Sequence, residues 1–261
     1  MISVVIRNKN QSKALEFLLS NLINRYGNQL GEIIVVDNLS TDNSKAVAEK
    51  YNAKFETITD FSYGGSANFC AEKANYDIVV LFSAHSYPVS PDFFLTIKKA
   101  FENNKNLAGV RCLHSSNDYK NYIQNISAKQ DPNKSGLIFS GSAFRKSVWK
   151  KIKFNKNVPT FEDKDWTQRV LKVGYDIEFA PVVFSYSIHR NSKQMFFRFK
   201  NDLLGNYQIW HKEPKLTSAF KGTVVSILNA IKKMFIAIFY ALKRLLFTLK
   251  FKFNKPEKFE Y

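Results

Sequence analysis

Short apolar runs alternate with amphipathic stretches through the first hundred residues. Residues 3–7, Glu32–Asp37, about 54–58 and 77–82 each read as a buried strand. Between the first two, Ser12 caps a stretch in which Ala14, Leu15, Leu18, Leu19, Leu22 and Ile23 recur at helical spacing. A polar turn over 38–44 leads into a helix ending at Lys50, a further helix covers 64–74, and Ser90 caps one over 91–101. This alternation predicts right-handed strand–helix–strand units, and so an α/β fold with a mostly parallel central sheet flanked by helices. Ligands of such sheets sit beyond the carboxyl ends of the strands. Three polar clusters fall there: Arg7-Asn8, Asp37-Asn38 and Ser83-Ala84-His85.

The second half is less regular. Leu107–Leu113 and 136–140 read as strands, 115–135 as a polar loop, 161–173 as a helix and 178–188 as a strand. From Val224 to Leu249, apolar residues recur in steps of four and three, with Lys232, Lys233, Lys243, Arg244 and Lys250 on the opposite side. The longest charge-free stretch there has ten residues, 222–231, whereas a spanning helix needs about 20. The tail is therefore expected to lie in a membrane interface rather than cross it. An oligomer seam fits the same spacing.

With 261 residues and 45% hydrophobic content, the chain can build a sizeable core and is not a disordered sequence. A net charge of +17 invites a polyanion: nucleic acid, anionic lipid or a phosphorylated substrate. The position of the charge narrows this. Between Lys221 and Lys258 stand nine basic residues against one acid, Glu257, so about half of the excess sits beside the apolar tail. That pattern fits an anionic membrane surface, and no nucleic-acid partner is expected. Cys70 and Cys112 have no metal or redox spacing and read as reduced core thiols. No secretory signal is expected ahead of the first strand, and the body is expected in the cytoplasm.

Four constellations carry candidate chemistry. Asp37, at the end of a buried strand, can accept from a base or ribose hydroxyl, or simply cap the turn that follows. His85 can ligate a divalent metal, or be structural. Glu162, Asp163 and Asp165 open a helix, where acids suit the macrodipole; one of them can equally serve as a general base, near Lys164 and Trp166. His189 and Arg190 follow a strand and offer a further metal ligand and a cation for phosphate oxygens.

In this order, these motifs resemble the family 2 nucleotide-sugar glycosyltransferases, over roughly residues 2–190. The family's "VVDNGSTD" turn stands here as residues 35–42, with Leu39 in place of Gly. The Gly/Asn loop before a helix stands as residues 61–68, and an "ED" motif as Glu162-Asp163, followed by Asp165-Trp166. Ser83-Ala84-His85, with Pro88 after it, replaces the family's DxD in the manner of its rhamnosyltransferase-like subgroup. The resemblance implies the GT-A fold. It implies a domain over 1–215, with a nucleotide-sugar half (1–105) and an acceptor half (106–215), ahead of a basic membrane-associating tail (216–261).

The resemblance also implies roles. Asp163 would be the catalytic base of an inverting single displacement. Arg7, Asn8, Asp37, Asn38, Asn68, Ser83 and Arg190 would bind the donor, and Glu162 and Trp166 would face the acceptor. His85 and His189 would hold Mn²⁺ or Mg²⁺; imidazole suits the former better. The expected partners are a nucleotide-diphosphate sugar and a glycan or lipid-linked glycan acceptor. The expected setting is the inner face of the plasma membrane, in bacterial surface polysaccharide synthesis. The loss of both DxD carboxylates leaves a second reading, a degenerate GT-A-fold binding or scaffold protein. No glycine falls in 4–11, which argues against a nucleotidyltransferase loop.

Overall fold

The computed structural model describes residues 1–186, 188 and 190–259. They form two units, Met1–His211 and Lys212–Tyr261.

The first unit is built on one sheet. Its strands are β1 (Ile2–Asn8), β2 (Glu32–Asp37), β3 (Lys54–Thr57), β4 (Ile78–Ser83), β5 (Ser86–Pro88), β6 (Leu107–Leu113), β7 (Ser142–Arg145) and β8 (Asp176–Tyr186). They lie in the order β3-β2-β1-β4-β7-β6-β8-β5. All neighbours are parallel except where β7 runs against β4 and β6, and β5 against β8. Helices α1 (Ser12–Tyr26), α2 (Ser44–Lys50), α3 (Tyr63–Lys73) and α4 (Phe93–Asn103) make the crossovers of the first half. The second half carries α5 (Ser116–Ile123), α6 (Pro132–Ser135), α7 (Lys146–Lys151), α8 (Glu162–Lys172) and α9 (Ser192–Trp210).

The central strands are apolar on both faces because both faces are covered. Along β1, Ile2, Val4 and Ile6 enter one core and Val5 the other; β4 splits Val80 and Phe82 from Val79 and Leu81 in the same way. Leu15, Leu18, Leu19 and Leu22 of α1 and Phe93, Phe94 and Ile97 of α4 close the first core. Ala67, Cys70 and Ala71 of α3 and Trp166 and Val170 of α8 close the second.

Several expected elements differ, each for a visible reason. Residues 136–140 are not a strand. Three of their N–H groups are taken by side chains instead: Leu137 donates to Thr167 Oγ1, Ile138 to Ser142 Oγ and Phe139 to Asp163 Oδ2. The loop expected over 115–135 contains α5 and α6, capped by Ser115 and by Asp131 ahead of Pro132. Ser12 is inside α1 rather than capping it; its N–H donates to Asp42 Oδ2. Ser90 is not the cap of α4 either, because its hydroxyl accepts from the Val183 N–H and α4 starts two residues later than expected.

The second unit holds α10 (Leu216–Phe253), a 38-residue helix with seven basic residues and no acid. Its best 18-residue window has a mean hydropathy of 1.6. By length and composition it is able to cross a bilayer as well as lie on one.

Candidate functional site

The strand order reverses direction between β1 and β4, and the register brings their polar ends level. Asn8 lies opposite Asp37, and Arg7 opposite Ser83. A cavity of about 740 Å³ opens over these ends. Arg7, Asn8, Asn38, Ser83 and His85 line it on the sheet side, Glu162 and Asp163 at the start of α8, and Arg190 ahead of α9.

The acid pair is held firmly. Asp163 Oδ2 accepts the Phe139 N–H at 2.9 Å, and Oδ1 accepts the Lys164 N–H at 2.7 Å. Glu162 is enclosed, with Arg7 Nη1 at 3.5 Å from its Oε1. Burial, and then the charge of Asp163, raise the Glu162 carboxyl to about 7; Arg7 pulls the other way without prevailing. Arg7 is itself fixed, its guanidinium 3.0 Å from the centre of the Phe139 ring and donating to Ser66 Oγ. Just before the pair, Phe161 takes a left-handed φ of +66°. Gly205 of α9 sits against its ring, at a place where a β-carbon would come within 2.8 Å. An aromatic residue in that conformation is strained, and the packing of α9 maintains it.

On the sheet side, Asp37 does not line the cavity. Oδ1 accepts from Asn8 Nδ2 and Ser40 Oγ, and Oδ2 from the Ser40 N–H, so the carboxylate ties β1 to the turn after β2. Leu39, where the family motif has Gly, adopts a φ of +50° in that turn. Asn68 also lies outside the cavity lining. Its amide donates to Phe154 O and accepts from Trp149 Nε1 and the Phe154 N–H, clamping α3 to the segment after α7. Trp166 is wholly buried, donates to Ile152 O and stacks on Phe154 at 5.1 Å. It is a core residue and does not face an acceptor.

His85 sits in the tight turn between β4 and β5, which Ser86 and Ser140 pin to Ser83. Its Nδ1 donates to Gln11 Oε1 at 2.9 Å, leaving the lone pair on Nε2. Nε2 is enclosed and has no hydrogen-bond partner among the described residues. Burial, with repulsion from Arg190 and Arg7, lowers the ring to about 4, so the imidazole is neutral. A neutral ring with an unspent nitrogen, oriented by a second group, fits one metal ligand. Among the described residues no cluster of three His, Cys, Asp or Glu exists, so the remaining ligands would have to come from elsewhere. His189, the other expected ligand, lies outside the described residues.

Other lining residues were not singled out in the sequence: Lys9, Gln11, Tyr63 and the α9 residues Lys193 and Arg198. The sign available was periodicity, since Lys193, Phe197 and Asn201 recur at four-residue steps on the cavity side of α9. Among the described lining residues, six Lys or Arg stand against Glu162, Asp163 and Asp202, which gives the cavity a cationic bias suited to phosphate.

Comparison with known proteins bears on the fold and the family. The O-antigen chain rhamnosyltransferase WbaN of Salmonella anatum is 27% identical over 199 residues, which are 66% of this chain and 61% of that protein. The chain therefore spans less than two thirds of that relative's length. Among solved structures, the mannosyltransferase PcManGT of Pyrobaculum calidifontis, in complex with GDP-Man and Mn²⁺, superposes with a TM-score of 0.64 at 18% identity, over 82% of this chain and 65% of that one. The glucosyl-3-phosphoglycerate synthase of Mycobacterium tuberculosis, with Mn²⁺ and UDP-Glc, gives 0.58 at 15% identity, over 82% and 80%. The expected GT-A fold is the one found. The model of the family described as glycosyl transferase family 2 matches residues 3–173. That span runs from β1 through α8 and takes in both the sheet-end cradle and the acid pair, and on it the chain belongs to glycosyl transferase family 2.

Proposed function

We propose that the chain transfers a hexosyl or deoxyhexosyl group from a nucleoside-diphosphate sugar to a hydroxyl of a glycan or lipid-linked glycan, with inversion, in the assembly of a bacterial surface polysaccharide. One observation carries this reading. A carboxylate pair, Glu162 and Asp163, shares a cavity with the sheet-end cradle of Arg7, Asn8 and Ser83 and with the cations Arg190, Lys193 and Arg198. A diphosphate leaving group needs the cations, and an attacking hydroxyl needs the carboxylate.

In this reading the nucleotide lies along the ends of β1 and β4, in the half formed by residues 1–105. Residues 106–215 supply the acceptor side. Asp163 takes the proton of the acceptor hydroxyl as its oxygen bonds to the anomeric carbon. The bond from that carbon to the diphosphate oxygen breaks on the opposite side, which inverts the centre. Two backbone N–H groups, of Phe139 and Lys164, hold the Asp163 carboxylate in place. Arg190, Lys193 and Arg198 offset the charge left on the diphosphate. His85 Nε2 would supply one ligand to a divalent metal. When bound, such a metal adds positive charge at the leaving group. The tail, residues 216–261, with its apolar face and basic residues, holds the enzyme on the cytoplasmic face of the membrane.

The test is Asp163→Asn. Transfer should fall by about 10²–10⁴-fold, while nucleoside-diphosphate binding by calorimetry changes little. Unchanged turnover would overturn the assignment.

A further inference from the structure

Helix α9 has its polarity reversed relative to an ordinary surface helix. The side that walls the cavity is largely polar, with Lys193, Arg198 and Asn201. The opposite side carries Met195, Phe199, Leu203 and Tyr207 at four-residue steps, with Phe196 beside them. These side chains face outward. Met195 and Phe196 are each 61% exposed, Phe199 is 60% and Tyr207 is 53%. A run of aromatics left in water along three turns calls for a partner.

The charges beside the stripe indicate which partner. Lys200, which does not line the cavity, flanks the stripe on one edge, and its Nζ lies 5.4 Å from the centre of the Phe196 ring. Long cationic side chains bordering an aromatic stripe place their stems in apolar surroundings and their heads among anionic groups. This is the pattern of a helix lying in a lipid headgroup layer. A protein partner would have to offer a matching apolar groove rimmed with acids, whereas an anionic leaflet supplies both features along its whole surface.

We infer that the outer face of α9 enters an anionic membrane leaflet, which brings the cavity it walls to the lipid surface and selects a lipid-linked acceptor. The acceptor class rests on the glycosyl transfer proposed above; the membrane contact does not. It is also separate from the tail, because α9 belongs to the Met1–His211 unit.

The test uses the full chain with Met195→Cys labelled by an environment-sensitive fluorophore, and Lys99→Cys on the exposed side of α4 as control. Cys70 and Cys112 are buried with their thiols raised by burial, Cys70 to about 12, so they take no label. On adding phosphatidylglycerol/phosphatidylcholine vesicles, the label at 195 should shift to the blue, brighten severalfold and be quenched by spin-labelled lipid. The label at 99 should not respond. The inference fails if the protein sediments with the vesicles while the label at 195 stays wet. It also fails if that label is already dry without lipid, which would report cover by α10 or by a second copy, or if no vesicle binding occurs. Loss of transfer in Asp163→Asn would stand in each of these cases, so the two readings fail separately.

Discussion

Replacing Glu162 by glutamine tests the electrostatics of the acid pair directly. Glu162 is only 4% exposed, beside Asp163, and its cationic neighbour Arg7 is 3.5 Å away. Its carboxyl is raised from 4.5 to about 7, first by burial and then by Asp163. Between those values the folded chain keeps a proton that the unfolded chain releases. Stability contributed by the protonated group is therefore present at low pH and lost as pH rises through the window, with the loss complete above about 7. Each pH unit is worth about 1.4 kcal/mol, so the window amounts to about 3 kcal/mol. The amide of Glu162→Gln has the same shape and no proton to lose. The unfolding free energy of the variant minus that of the parent should then grow by about 3 kcal/mol from pH 4.5 to pH 8. Urea unfolding followed by the fluorescence of the buried Trp149 and Trp166, at intervals across that range, measures it. Parallel pH profiles for the two proteins would show that Glu162 titrates like an ordinary carboxyl, and would refute the account of its burial.

Two further substitutions separate structural from ligand-binding roles. Asn68→Ala leaves Trp149 Nε1 and the Phe154 N–H without their acceptor. Stability should fall by about 2–4 kcal/mol, while nucleoside-diphosphate affinity, measured by calorimetry, holds within about twofold of the parent; lost affinity at unchanged melting temperature would contradict the clamp described above. Leu39→Gly removes a left-handed leucine whose side chain is exposed. Relief of strain outweighs the added freedom of the unfolded chain, so chemical denaturation should show a gain of up to about 1 kcal/mol, and a loss would mean that the leucine makes packing worth more than its strain.

The first half of the sheet was readable because its strands are apolar on both faces and end in polar residues, as at Arg7-Asn8 and Asp37-Asn38. Residues 136–140 misled because Leu137, Ile138 and Phe139 resemble a strand, while the side chains that take their N–H groups come from 142, 163 and 167. Such partners are distant in sequence and leave no local periodicity. The site divides along the same line. Asp163, His85 and Arg190 reach the cavity, as motif position implied. Asn68 and Trp166 carry equally suggestive positions, yet their hydrogen-bonding groups are spent on the chain itself. Long-range pairing decided these two, and only three-dimensional packing reveals it.

The strand order has a mechanical meaning. Residues 1–105 and 106–211 are not lobes on a hinge, because β4 of the first stretch is laddered to β7 of the second, and β5 crosses over to pair with β8. Prising them apart would break ladder hydrogen bonds worth about 1 kcal/mol each, along with the two cores that the sheet separates. A clamshell motion, by which many two-lobed enzymes swallow a substrate and discharge a product, is closed to this molecule. Traffic through the cavity has to pass without opening the sheet.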